Sequence, residues 1–152
     1  MKATMMAMFL LLLATSAFAH VTVFPQQAPA GASQVYKVRV HNDAKSPTAA
    51  IELQVPAGVI VESVAAMATG KSTTKKTGDR VTGITWEIEV PAGKYVELAF
   101  TAKNPATGNS LNWNLKETFK NGTMIEYTDK PGAKEKSSIT KLTRLPAPAV
   151  QK

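Results

Sequence analysis

The chain has 152 residues, 44% hydrophobic and 19% charged, with a formal net charge of +7 and no cysteine. Lacking thiols, it can have no disulfide staples, thiol nucleophile, zinc–thiolate or iron–sulfur site, and its length suits one domain with a core of its own. The positive charge comes mostly from scattered lysines, densest at Lys71, Lys75 and Lys76; with no aromatic residue interleaved there, residues 71–78 read as a solvated basic loop and nucleic acid is not expected as a partner.

The chain opens with the marks of a secretory leader. Lys2 gives the positive start, residues 8–14 the apolar centre, and Ala17-Phe18-Ala19 an A-x-A cleavage site. The apolar stretch is shorter than the roughly 20 residues a membrane-spanning helix needs. The expectation is a signal peptide over residues 1–19, and an exported protein, periplasmic or at the cell surface, whose first residue is His20.

From there the pattern is alternation with a period of two, the signature of half-buried strands. Residues 21–24 open it and Pro25 closes it. In residues 34–40, Tyr36, Val38 and Val40 share one face while Lys37 and Arg39 take the other. Residues 51–55 repeat the pattern up to Pro56-Ala57-Gly58, and a short run from Val59 reaches Val64. Residues 81–90 place Ile84, Trp86, Ile88 and Val90 together before Pro91-Ala92-Gly93. Residues 95–102, 111–119, 124–128 and 138–142 complete nine candidate strands, with Asn121-Gly122 as a hairpin turn between two of them. Many short strands separated by turn residues predict an antiparallel sandwich or barrel. The domain is expected over residues 20–145, and the proline-rich residues 146–152 as a flexible tail.

Candidate chemistry is sparse. There is no nucleophile elbow and no phosphate loop. Glu52, Glu87, Glu89 and Glu97 all fall on polar strand positions, where solvent is the default. A mature N-terminal His20 would be different, because its α-amine and Nδ1 can close a chelate ring on one metal ion. Both nitrogens deprotonate readily, with reference pKa values near roughly 8 and 6.5. Such a nitrogen pair suits Cu(II). His41 ends a strand, and nothing in the spacing puts it beside His20. With Met67 and Met124 the only methionines after residue 19, no thioether-rich Cu(I) site is expected.

Several blocks in order carry a resemblance. His20-Val21-Thr22-Val23, Pro25 and Ala28-Pro29-Ala30-Gly31 are followed by Ile84-Thr85-Trp86, residues 91–97, Trp113, residues 117–123 and Ile125-Glu126-Tyr127. Together they resemble the YcnI-like family of exported copper-binding domains. That resemblance implies an immunoglobulin- or fibronectin-like antiparallel β-sandwich. It implies Cu(II) held by a brace with a single histidine, His20, with Glu97 as a further ligand. Tyr127 stands near the metal where the family has a tryptophan, and Trp86 and Trp113 are expected in the core. The implied role is copper capture, buffering or delivery, with a membrane copper transporter or copper chaperone as partner and no catalysis. The competing readings are a metal-free extracytoplasmic interaction module and a histidine-brace copper oxygenase, the latter needing His41 as a second ligand.

Overall fold

The structure is a computed structural model that describes residues 20–144, with only the backbone of His20. The signal peptide expected over residues 1–19 and the tail over residues 146–152 lie outside the described residues.

Eleven strands form: β1 (His20–Phe24), β2 (Gln27–Pro29), β3 (Ser33–His41), β4 (Thr48–Gln54), β5 (Ile60–Val64), β6 (Lys71–Thr77), β7 (Arg80–Val90), β8 (Tyr95–Lys103), β9 (Ser110–Phe119), β10 (Met124–Tyr127) and β11 (Ser138–Thr143). They make a four-stranded sheet, β1-β3-β8-β5, and a seven-stranded sheet, β2-β11-β9-β4-β7-β6, in which β10 also pairs with β9. The long strand β9 pairs with β4 on one edge and shares the other edge between β11 and β10. All nine strands expected from alternation are present, and the described residues contain no helix.

The inward faces follow the sequence pattern. Tyr36, Val38 and Val40 are fully buried, as are Ile84 and Trp86 from β7 and Leu111 and Trp113 from β9, each at most 2% exposed. An aromatic cluster fills the space between the sheets: the Tyr36 ring lies 4.8 Å from Trp113 and 5.4 Å from Phe100, and Trp86 lies 6.3 Å from Phe100. Stacked and tilted ring contacts of this kind add to area burial. Two of the three polar tips find partners at the rim of the core, while Trp86 Nε1 is buried without one. Tyr36 OH donates to Asn104 Oδ1 at 2.6 Å, and Trp113 Nε1 donates to Thr140 Oγ1 at 3.0 Å.

Two strands, β2 and β6, depart from the sequence reading. Residues 71–77, expected as a loop, form the edge strand β6, paired antiparallel with β7 and exposed at every position. With neither face buried, no apolar alternation marks it, and lysines on an edge strand discourage further pairing. The Asn121-Gly122 hairpin joins β9 and β10 as expected, and only Gly122 takes a positive φ, +86°. Gly122 N donates to Phe119 O at 2.9 Å and Phe119 N to Thr123 O at 2.9 Å, the turn-plus-left-handed-glycine form of hairpin connection. Asn121 contributes through its side chain, accepting from Thr123 N at 3.0 Å.

The N-terminal segment changes sheets. Residues 20–24 pair with β3, while residues 27–29 run parallel to β11 in the other sheet. Ser138 fastens this crossing, its Oγ accepting from Val23 N at 2.9 Å. The start of β1 is thereby fixed at one end of the sandwich, on the edge of the four-stranded sheet.

Candidate metal centre

Because side chains alternate across a strand, the outward face of the four-stranded sheet can be read as rows. His41 on β3 is paired with His20 on β1 and with Tyr95 on β8. Arg39 is paired with Thr22 and Glu97, and Lys37 with Phe24 and Ala99. Val38 and Val40 point inward between these rows, so Lys37, Arg39 and His41 share the outer face.

Glu97 lies outward, as its alternation implied, with its side chain 31% exposed. Its Oε1 accepts from Arg39 Nη2 at 3.2 Å, and its Oε2 lies 3.7 Å from Lys37 Nζ. The carboxylate is therefore held by two cations from the neighbouring strand. It sits two strands and one pleat away from His20, about 12 Å between backbones at ordinary sheet spacing.

His41 is much closer to His20. Directly paired residues in an antiparallel ladder have backbones about 5 Å apart, and His41 occupies that position opposite His20. Its Nδ1 donates to Asp43 Oδ1 at 2.7 Å. In the neutral ring this fixes the tautomer and leaves the Nε2 lone pair available. Sequence spacing missed this juxtaposition, because only the β1–β3 register reveals it.

Tyr127 belongs to the other sheet and is 2% exposed. It lines a recess shared with Val21, Thr22 and Gln26, beside the start of β1. Its hydroxyl donates to Glu117 Oε2 at 3.3 Å, while Thr48 Oγ1 donates to Glu117 Oε1 at 2.7 Å. Glu117 is fully buried. Burial pushes its carboxyl above the usual range, opposed by the two hydrogen bonds and assisted by the charge of Asp43. Tyr127 is driven well above the ordinary phenol value, first by burial and then by the charge of Glu117. Glu117 was overlooked in the sequence although a signal for it existed: it falls in phase with Leu111, Trp113, Leu115 and Phe119, the inward residues of β9.

Among the described residues, no three His, Asp or Glu side chains gather into a metal-holding group. The donor chemistry near residue 20 fits copper: the His41 imidazole offers nitrogen, and the Asp43 and Glu97 carboxylates offer oxygen.

Residues 20–151 match the family described as a domain of unknown function, DUF1775. The chain is 29% identical over 137 residues to the copper-binding protein CutI of Bacillus subtilis (strain 168), an alignment covering 88% of this chain and 67% of that protein. Among solved structures it is similar to an uncharacterized protein from Nocardia farcinica with an immunoglobulin-like fold, at a TM-score of 0.68 and 16% identity over 82% of this chain and 99% of that one. A non-cellulosomal cohesin from Archaeoglobus fulgidus is also similar, at a TM-score of 0.51 and 12% identity over 81% of this chain and 89% of that one. At such identities these structures speak to the fold alone, an immunoglobulin-like sandwich. The match over residues 20–151 takes in every strand of that sandwich, and the chain belongs to the YcnI-like DUF1775 family.

Proposed function

We propose that this protein is exported and binds Cu(II) at its processed N terminus, to capture, buffer or hand over the ion near a membrane copper transporter or chaperone. The α-amine and Nδ1 of His20 form the chelate, Glu97 supplies a further oxygen, and Tyr127 stands close by. The observation that carries this reading is the similarity to CutI, a copper-binding protein, over 88% of the chain. The fold lends support: His20 begins β1, and Ser138 pins Val23 three residues further on. A terminal chelate there is attached to a rigid sheet rather than to a loose arm.

Glu97 must compete with its own neighbours. Its Oε2, 3.7 Å from Lys37, is less engaged than Oε1 and is the oxygen that can turn to a metal. No catalytic step forms part of this reading.

The test is a competition titration with a Cu(II) chelator, comparing protein that begins at His20 with protein carrying one additional alanine before it. Moving the amine onto another residue should weaken binding by about tenfold or more, since a chelate nitrogen is lost. Equal affinities would remove the terminal brace.

A further inference from the structure

We infer that His41 is a second imidazole ligand of the copper ion, oriented by Asp43. This rests on the terminal-copper reading above and completes its ligand set. An ion shared between β1 and β8 must sit over β3, because β3 lies between them in the sheet. The β3 residue in the row of His20 is His41, directly opposite it and on the diagonal to Glu97. Diagonal neighbours across a strand pair lie about 7–8 Å apart, within reach of long side chains. His41 thus bridges a span that His20 and Glu97 would otherwise have to close alone.

An independent observation is the state of the ring. His41 Nδ1 is tied to Asp43 Oδ1 at 2.7 Å, and the His41 side chain is 44% exposed. A carboxylate holding one imidazole nitrogen while the other stays open is the arrangement by which proteins orient metal-ligating histidines. No described partner occupies Nε2. On the far side of His41, Tyr95 is 64% exposed and leaves this end of the sheet open to an incoming ion or to a delivery partner.

The experiment is pulsed electron paramagnetic resonance of the protein beginning at His20, loaded with one equivalent of Cu(II), beside His41→Ala and the alanine-extended form. Coupling to the remote nitrogens of imidazole reports how many histidines bind equatorially. The wild type should show two and His41→Ala one, with Cu(II) affinity falling about tenfold or more on loss of a ligand. Because His41 is half-exposed, the copper-free variant should melt as the wild type does. One imidazole in both proteins, with a change only in the extended form, would overturn the His41 assignment and leave the terminal chelate standing. Spectra unchanged in both variants would overturn the two together.

Discussion

Glu117 shows what a single buried residue can impose. Its carboxyl is closed off among Thr48, Tyr127 and the core, with Asp43 as the nearest added negative influence. Burial raises its folded-state pKa above the unfolded value, so the folded protein keeps a proton that the unfolded chain gives up. Stability from this group is then complete below the unfolded carboxylate pKa and declines as pH rises toward the folded value. Copper-free Glu117→Gln, which keeps the shape without the charge, should lose that decline. Melting temperatures from pH 4 to 8 should fall less steeply for the variant, and parallel profiles would contradict the assignment. At this scale the sequence was legible wherever one strand's own alternation sufficed. Tyr36, Val38, Val40, Trp86 and Trp113 are buried as that pattern requires. The Glu97 ion pairs with Arg39 and Lys37 were not legible, because they depend on which strand lies beside β8.

At the scale of elements, two glycines separate conformational strain from collision. Gly122 turns the β9–β10 hairpin at φ +86° with open space where a Cβ would project. Gly70, at φ +78°, precedes β6, and a Cβ there would strike the carbonyl oxygen of Glu87 on β7. Gly122→Ala should therefore cost about 1 kcal/mol, the backbone penalty alone. Gly70→Ala should cost at least about 2 kcal/mol, since the β6 edge must also shift. Urea denaturation of both variants checks the order, and equal losses would argue against the close approach of residue 70 to β7. The same region shows why β6 went unrecognised. Its seven exposed residues, Lys71–Thr77, offer no apolar period, yet Gly78-Asp79 separates the paired residues Thr77 and Arg80. A glycine-first two-residue connection is itself a hairpin signal. Outer-face glutamates expected in solvent do lie there, each paired with a lysine: Glu52 with Lys116 at 2.7 Å and Glu87 with Lys71 at 2.9 Å across adjacent strands, and Glu89 with Lys120 just past the end of β9. These exposed pairs contribute little to stability, but they break up the positive charge that composition alone would have concentrated.

For the whole molecule, the two sheets bring distant stretches of chain to one end of the sandwich. His20, His41, Tyr95 and Tyr127 are spread over most of the chain, and the first three form a single row across β1, β3 and β8. The fold class was legible because strand spacing and turns are local. The proposed site could be suggested only through resemblance, because the chain leaves the four-stranded sheet for β2 between β1 and β3, and spacing cannot give register across such a crossing. That crossing also gives residue 20 a defined address, which the proposed terminal chelate needs. The most direct test of this account is continuous-wave electron paramagnetic resonance of the protein starting at His20 with one equivalent of Cu(II), beside the form extended by one alanine. The account predicts a tetragonal spectrum with nitrogen couplings that changes when the amine is displaced. Identical spectra from the two proteins would contradict it.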